Sequence, residues 1–361
     1  MTHTRRCLTG EESKPGRWRV ALAGLGMTGD GFAQADVSLV FGDPTAFPVA
    51  ATAAPEASGS AAFDGTNFLV GIQTQTTVGA QLVSPAGVTL GPLITTNRSG
   101  NEPVLAFNGT NYLLAWATLD ASPFAYGQLV SPSGTTVGSP FQISQSNTVI
   151  LTGVQWSLGG IASDGTNYLV VWTDSRLSPD KYIYGRVVAD SGSPVGSDIM
   201  ISESPGAEAQ VAFDGNNYLV VWHGEDSNSS LVMGRFMDRA GALVSAEFVV
   251  KNGPAPSDNP NAVAFGRTNY LVVWPDEVDS SSHQWNIFGQ LVTPSGALTG
   301  EVLQITSEPG EQFYPTLAFD GRNYLATWTN FTCNVSAGET CGDVHGQYLS
   351  QCGTPIGAAF P

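Results

Sequence analysis

Three of the four histidines, together with several carboxylates, are the residues whose types and positions suggest acid–base or metal chemistry. His223 and Glu225 lie close together in the sequence, Asp276 precedes His283, and His345 follows near the C-terminus. Imidazole and carboxylate groups serve as general acids and bases, and as ligands for divalent cations. We therefore treat His223, His345, Glu225 and Asp276 as candidate catalytic residues. His223, His283 and His345 are the candidate metal ligands, with a divalent cation as the cofactor they imply.

The spacing of these residues does not indicate a particular reaction. The sequence has neither the paired histidines of an H-x-x-x-H or H-E-x-x-H motif nor the G-x-S-x-G of a serine hydrolase. The D-x-D-x-D-G spacing of a calcium loop is also missing. The sequence leaves open whether the protein is an enzyme. If it is one, the residue types favour a hydrolase or a lyase.

A second set of residues has the character of a binding surface. Aromatic side chains outside regular structure can stack on sugars or fill a pocket of a protein partner, and they can equally plug the mouth of a channel. The candidate binding residues are Trp156, Asp174, Arg176, Asp226, Glu277, Trp285 and Tyr314.

The elements that must position these residues come from an internal repeat. A ten-residue phrase, Phe213-Asp-Gly-Asn-Asn-Tyr-Leu-Val-Val-Trp222 in its fourth copy, occurs six times at intervals of 44 to 56 residues. The units begin near residues 57, 101, 155, 207, 259 and 313. Self-similarity at this period is typical of propellers and solenoids.

Each unit predicts four antiparallel strands. In the fourth copy the first strand is predicted over residues 210–213, the Asp-Gly pair turns the chain, and the second strand over 217–222 is apolar on both faces. A third strand of the Tyr-Gly-Gln-Leu-Val type, with its Gly expected at 79, 127, 185, 234, 289 and 346, leads through a Ser-Pro-Ser-Gly turn to a short fourth strand. The prediction is an all-β, six-bladed β-propeller that forms one domain over residues 36–361.

Strand order in such a blade separates the loops into two faces. Turns between strands one and two, and between three and four, are short and nearly uniform, whereas the loops between strands two and three vary in length. All of the candidate residues fall in the second-to-third loops or in the connections between blades. Variable loops on a rigid scaffold are where binding usually occurs, so the variable face is the predicted functional face.

The units resemble the repeats of secreted bacterial β-propeller proteins, whose copies read F-D-G-x-N-Y-L-V-V-W followed by an I-Y-G-Q-x-V strand and an S-P-x-G turn. The resemblance covers residues 57–361. It implies a propeller fold in an exported protein, and it assigns no catalytic residue. The first unit departs most, because Ile72 stands in place of the Trp.

Two predictions concern the N-terminal part of the chain. Residues 1–35 have a basic start, a short apolar run and an Ala-x-Ala ending, which predict a secretory signal peptide, with a disordered leader as the alternative. The segment Thr45–Ala50 looks like a spare fourth strand, which we expect to complete the last blade and close the ring, although a plain linker fits the same residues.

Composition limits the partners. A formal net charge of −17 argues against a nucleic-acid-binding surface, and no apolar stretch is long enough for a transmembrane helix. We therefore expect a secreted, cell-surface or periplasmic monomer that binds a protein or glycan through its variable face. A structural surface or adhesin module is the other non-enzymatic possibility.

The cysteines leave their pairing open. Cys333, Cys341 and Cys352 lie in the last unit and allow either a Cys333–Cys341 or a Cys341–Cys352 disulfide in an oxidising compartment. A zinc site is disfavoured because a fourth ligand and a C-x-x-C motif are missing.

Overall fold

A computed structural model describes residues 57–73, 77–119, 123–147, 159–226, 229–253, 262–279, 284–331 and 342–360. These residues contain 24 β-strands in six consecutive groups of four. Within the described ranges there is no helix with the length and apolar character required to cross a membrane. The predicted leader and the segment Thr45–Ala50 lie outside the described residues.

Each group is an antiparallel sheet or half of one, with its strands in chain order. The strands of the first three groups are β1 Ala57–Phe63, β2 Phe68–Gln73, β3 Thr77–Val83, β4 Thr89–Ser99, β5 Asn101–Phe107, β6 Tyr112–Ala117, β7 Ala125–Val130, β8 Thr136–Gln142, β9 Ile161–Ser163, β10 Tyr168–Asp174, β11 Tyr182–Val188 and β12 Pro194–Met200. Those of the last three are β13 Gly206–Phe213, β14 Asn217–Asp226, β15 Ser229–Asp238, β16 Phe248–Gly253, β17 Ala262–Phe265, β18 Tyr270–Asp279, β19 Gln284–Val292, β20 Leu298–Gln304, β21 Glu311–Phe319, β22 Tyr324–Phe331, β23 Asp343–Leu349 and β24 Pro355–Phe360. Four groups form separate four-stranded sheets, and the last two join into one eight-stranded sheet.

The first strands of all six groups face one central cavity. Its volume is about 230 Å³, and its lining runs from Ser60 in β1 through small residues such as Ala106, Ala212 and Ala264 to Ala318 in β21. An arrangement of four-stranded antiparallel sheets around a central cavity is propeller-like.

The turn between the first two strands is built by aspartate chemistry, as the repeated Asp-Gly pair predicts. The Oδ1 atom of Asp214 accepts hydrogen bonds from the amides of Asn216 at 2.7 Å and Asn217 at 2.6 Å. Gly215 follows at a φ of 98°, in the left-handed region that glycine tolerates. The carboxylate therefore closes a turn, and this explains the repeat without a metal ion.

The fifth copy of this turn carries strain. Arg267 occupies the glycine position at a φ of 70°. A non-glycine residue in this region costs roughly 1–2 kcal/mol, part of which is offset by the greater freedom of glycine in the unfolded chain. We therefore expect Arg267→Gly to raise the free energy of unfolding by about 0.5–1 kcal/mol, measured by urea denaturation.

Arg322, in the equivalent turn of the sixth copy, is the matched control for this change. It lies one position further along its turn and has no positive φ. Arg322→Gly should therefore lower stability or leave it unchanged, and an equal gain in both variants would contradict the strain argument.

Apolar clusters lie between successive groups. The buried Tyr270 and Trp274 of the fifth group, for example, pack with Leu219 and Val221 of the fourth. Equivalent clusters join the first group to the second, the second to the third, the third to the fourth and the fifth to the sixth. The two apolar faces of each second strand are thus explained, because each one contacts a different sheet.

Tyrosine hydroxyls add a hydrogen bond between groups. Four of them donate to the main-chain oxygen of the last turn residue in the preceding group: Tyr112 to Asn67 at 3.0 Å, Tyr168 to Asn111 at 2.6 Å, Tyr270 to Asn217 at 3.0 Å and Tyr324 to Asn269 at 2.8 Å. The equivalent Tyr218 hydroxyl has no hydrogen-bond partner among the described residues. In the first group, Phe68 stands in this position and has no hydroxyl.

The faces of the first and sixth groups that do not take part in these junctions carry fewer large apolar side chains among the described residues. The first group has a small buried cluster of Ala61, Val70 and Val83 of its own. In the sixth group the hydroxyls of Thr316 and Thr327 lie 2.7 Å apart in an exposed pair. Large apolar side chains therefore dominate the five internal junctions but not these two faces.

Two details of the predicted strands need correction. The third-strand glycine of the first copy was placed at Gly79, but Gly79 pairs with Ile72 and thus takes the position of Tyr126, while Ala80 takes that of Gly127. Elsewhere the glycine makes room for a fourth-strand side chain: a Cβ on Gly234 would lie 2.8 Å from Phe248.

The last fourth strand also differs from the prediction. Its place beside β23 is taken by β24, Pro355–Phe360, and not by a strand from the N-terminus. The reason is that β24 begins two residues after the turn glycine Gly353, as the fourth strands of the first, second, third and fifth groups begin after theirs, so residues 355–360 form this strand.

Candidate functional site

The two faces differ as the sequence predicts. In every group the third-to-fourth turn closes with the same pair of backbone hydrogen bonds, such as Ser131 N to Thr135 O and Gly134 N to Ser131 O. The opposite face carries the second-to-third loops and the connections between groups. We call it the loop face.

Two of the predicted loops are in fact extended hairpins. Strands β14 and β15 continue pairing up to Asp226 and Ser229, and β18 and β19 continue up to Asp279 and Gln284. His223, Glu225, Asp226, Asp276 and Glu277 therefore lie on strands and not in irregular loops. The predicted loop boundaries were wrong because the polar residues beyond each Trp still pair across the hairpin.

Asp174 and Arg176 are held in an ion-pair network. Arg176 contacts Asp174 at 2.7 Å and Asp198 at 2.8 Å through its Nη2 atom, and the Asp174 carboxylate also accepts the indole N–H of Trp172 at 3.0 Å. The Arg176 guanidinium lies 4.0 Å from the ring centroid of Tyr184. With Asp174 fully buried, this pair fixes the second-to-third loop of the third group.

Asp276 has a similar structural partner. The Nζ atom of Lys251, at the end of β16, lies 3.2 Å from an Asp276 carboxylate oxygen on β18. This ion pair joins the fourth and fifth groups. His223 is half-buried in β14, in register with Ala207 and Val232.

His345 belongs to a network of side chains at the junction of the fifth and sixth groups. Its Nδ1 atom lies 2.9 Å from the Glu308 carboxylate, which also accepts a hydrogen bond from Asn330 at 3.3 Å. Gln312 is fully buried, accepts the Thr306 hydroxyl at 3.0 Å, and donates to Glu308 O at 3.0 Å and Asn330 Oδ1 at 3.2 Å. These five residues are called the amide network below.

Four aromatic rings meet at the same junction. Trp285 lies 5.2 Å from Phe313, and Phe313 lies 5.9 Å from Tyr314 and 6.3 Å from Phe331. Tyr314 and Phe331 are 6.2 Å apart with their planes at 83°. These four residues are the aromatic cluster. The Tyr314 side chain is 46% exposed, so the cluster reaches the surface.

The amide network and the aromatic cluster occupy opposite faces of the same strands. Gln312 precedes Phe313 on β21, and Asn330 precedes Phe331 on β22, with Gln312 and Asn330 in register. Because successive side chains of a strand alternate, the amides lie on one face and the rings on the other. The buried amides therefore fix the strand ends that carry the rings.

Glu311 lies among the rings. It pairs across the ladder with Phe331 on β22, and through a single parallel pairing with Trp285 on β19. Directly opposed residues of antiparallel strands, such as Glu311 and Phe331, have Cβ atoms about 4.5–5.5 Å apart and share a face of the sheet. The Glu311 side chain is half-buried, and no hydrogen-bond or ion-pair partner for its carboxylate occurs among the described residues.

Tyr314 is presented by a bulge in β21. The register shifts between Phe313 and Thr316, and Tyr314 has a φ of 58°. The same bulge occurs in β13, where Glu208 has a φ of 57°. The strained backbone is therefore a feature of the scaffold, and the sixth group uses it to expose a tyrosine.

The sequence-predicted site is brought together only in part. The structure brings Trp285 and Tyr314 into one cluster, and it separates His223 and His345 onto the fourth and sixth groups. Trp156 and His283 lie outside the described residues, and of Glu225 and Asp226 only the strand position is described. No group of three His, Cys, Asp or Glu side chains in the described ranges is arranged to hold a metal ion.

Cys352 is disulfide-bonded, and its partner lies outside the described residues, as do Cys333 and Cys341. Cys352 is therefore not left as an unpaired thiol.

Sequence reasoning missed Glu311 and Phe331. No specific sequence signal marks them. An amide precedes an aromatic residue at Gln284-Trp285, Gln312-Phe313 and Asn330-Phe331, but the same dipeptide also occurs as Asn-Tyr or Asn-Phe in every copy of the repeat. All three dipeptides lie where a strand of the last two groups reaches the loop face.

Comparison with known proteins indicates a fold and no family. No protein-family model and no curated protein sequence matches the chain. Among solved structures it is similar to a protein of unknown function from Dyadobacter fermentans DSM 18053, with 10% identity, coverage of 82% of this chain and 93% of that one, and a TM-score of 0.54. At this identity the likeness concerns the fold alone.

Weaker likenesses carry no functional argument. They include the α-L-arabinanase of Penicillium chrysogenum, with 9% identity, coverage of 80% and 91%, and a TM-score of 0.49. TolB from Acinetobacter baumannii shows 14% identity, coverage of 78% of this chain and 59% of that one, and a TM-score of 0.44.

Proposed function

We propose that this protein is an exported six-bladed β-propeller that binds a glycan or protein partner through its loop face. The blades correspond to the six groups of strands, and the aromatic cluster is the main contact. The proposal rests on one observation above all: four aromatic rings that break the repeat converge at the loop face, and one of them is nearly half exposed.

The contrast with the other aromatic residues supports this proposal. The repeated Trp and Tyr residues, such as Trp274 and Tyr270, are fully buried between groups. Tyr314 and Trp285 have no such position in the repeat, so packing of the scaffold does not require them. Exposed aromatic residues of this kind supply large contact areas in binding sites.

The amide network supports the same proposal through rigidity. Gln312 and Asn330 hold the strand ends on the face opposite the rings. A contact surface that is ordered before binding loses less conformational entropy when a partner arrives. The geometry thus favours a preformed binding surface over a flexible loop that folds around its partner.

A screen with matched variants tests the proposed function. The wild-type protein is applied to a carbohydrate array and to a displayed peptide library, and the retained ligands are then measured with Trp285→Ala and with Val137→Ala. Val137 is 41% exposed on β8, remote in sequence from the cluster, and serves as the control for removing an exposed apolar side chain.

We expect Trp285→Ala to weaken the retained ligands by roughly tenfold or more, because a central aromatic contact typically contributes over 1 kcal/mol. Val137→Ala should bind like the wild type. Ligands that bind both variants equally, or a failure to retain any ligand, would contradict the proposal.

Tyr314 allows binding and stability to be separated. Tyr314→Gly removes the ring and relieves the positive φ, whereas Tyr314→Ala removes the ring and keeps the strain. We expect Tyr314→Gly to be more stable than Tyr314→Ala by about 1 kcal/mol in urea denaturation, and both variants to lose partner binding to the same extent.

Glu208→Gly is the control for the backbone effect. Glu208 occupies the same bulge position in β13 with nearly the same φ. Glu208→Gly should gain stability over Glu208→Ala by a similar amount and leave partner binding unchanged. Loss of binding in Glu208→Gly would show that the bulge, and not the Tyr314 ring, carries the effect.

A further inference from the structure

We propose that the aromatic cluster and Glu311 form a site for an alkylated ammonium group, such as the quaternary ammonium of choline. This inference rests on the proposed function and deepens it by naming the chemical group of the partner that the cluster binds. It is carried by the position of an unpaired carboxylate among four rings.

The rings provide the first half of this chemistry. Faces of aromatic rings carry partial negative charge and attract cations, and several rings at steep angles are the arrangement that recognises quaternary ammonium groups. Tyr314 and Phe331 stand at 83° with centroids 6.2 Å apart, and Phe313 and Phe331 stand at 58°.

Glu311 provides the second half. Its ladder partners are Trp285 on one side and Phe331 on the other, so its side chain projects from the same face of the sheet as theirs. No described residue supplies a cation to this half-buried carboxylate, so a cationic ligand would be its counter-ion. By contrast, Glu308 in the amide network already contacts His345.

The charge of the whole chain agrees with a cationic ligand. The formal net charge is −17, which attracts cations and disfavours sulfated or uronic acid groups. A neutral sugar would use the rings but would leave the Glu311 charge unmatched. An alkylated ammonium group uses both features at once.

The experiment compares choline with 3,3-dimethylbutan-1-ol, which has the same shape but no charge. Each is titrated into the full chain while the indole N–H resonance of Trp285 is followed by NMR, assigned by its loss in Trp285→Phe. We expect choline to bind at least roughly tenfold more tightly than the alcohol, because only choline makes the cation–π and carboxylate contacts. Equal affinities, or no response to choline, would overturn the inference.

Variants identify the source of any preference. Glu311→Gln should reduce choline binding to the level of the alcohol, and Tyr314→Ala should weaken both ligands. Glu203→Gln is the matched control, because Glu203 is an exposed carboxylate that pairs with Arg235 in another part of the loop face. Its choline affinity should equal that of the wild type, and a Glu311→Gln protein that retains the preference would contradict the role of this carboxylate.

The outcome is separable from that of the proposed function. If partners retained on the array depend on Trp285 while choline neither binds nor competes, this inference fails and the binding function stands. If choline competes with those partners, the group recognised is the ammonium. Binding measurements with phosphocholine-bearing glycans and with trimethylated peptides then show which kind of partner carries it.

Discussion

Raising the pH from 9 to 11 is expected to lower the free energy of unfolding by about 7 kcal/mol. The effect comes from five tyrosines that are fully buried at the junctions between groups: Tyr112, Tyr168, Tyr218, Tyr270 and Tyr324. Few single substitutions should change the free energy of unfolding of this protein by a larger amount.

Burial raises the pKa of each of these hydroxyls, since a phenolate cannot be solvated there. For Tyr112, Tyr218 and Tyr270, the nearby turn aspartate of the preceding group raises the pKa further. The folded state therefore keeps protons that the unfolded chain releases above about pH 10. Stability is fully present below that pH and falls by about 1.4 kcal/mol for each tyrosine at one unit above it.

The measurement is urea denaturation at several alkaline pH values, together with the phenolate absorbance of the folded protein. The five phenolates should appear with unfolding and not before it. Tyr324→Phe should cost about 1 kcal/mol at pH 7, because the Asn269 oxygen loses its donor, and should reduce the pH dependence by one proton. Phenolate absorbance that rises fully at pH 10 in a folded protein would contradict this account.

Trp274→Ala is expected to lower the free energy of unfolding by about 3–5 kcal/mol. Trp274 is fully buried and packs against Leu219, Val221 and Val232 of the preceding group. Within the described residues its indole nitrogen has no hydrogen-bond partner, so the loss is one of packing and of the cavity left behind.

Urea denaturation of Trp274→Ala against Val302→Ala checks this value. Val302 lies on β20 and is 51% exposed, so its truncation should change stability by less than about 0.5 kcal/mol. Trp274→Phe should recover part of the loss because it fills part of the cavity. A cost below about 1.5 kcal/mol for Trp274→Ala would mean that the junction collapses around the missing ring.

The sequence predicted the scaffold well because its information is local and repeated. The Asp-Gly pair defines a turn by the chemistry of one carboxylate, and the Tyr-Leu-Val-Val-Trp run defines a strand that is buried on both faces. The position of β24 was missed for a local reason too. The short segment after Gly353 forms the fourth strand itself, so no strand from elsewhere in the chain is needed beside β23.

The candidate site was less predictable because it depends on which residues meet across strands. Asp174 and Arg176 look like exposed loop residues in the sequence, yet they form ion pairs with each other and with Asp198. Glu311 and Phe331 are unremarkable as residue types, and only the pairing of β19, β21 and β22 brings them to Trp285. Such long-range register is not encoded in any single segment.

The described contacts of the first and sixth groups bear on the cooperativity of the molecule, because among the described residues each of these groups has one large apolar junction. In a symmetric ring each unit has two equal neighbours, so removing any unit breaks two couplings. Here the four tyrosine hydrogen bonds described above and the large apolar clusters lie at internal junctions, while Phe68 and the Thr316–Thr327 pair mark the two ends. Among the described residues the couplings therefore form a nearest-neighbour array from the first group to the sixth, in which loss of an end group breaks one coupling and loss of any other group breaks two.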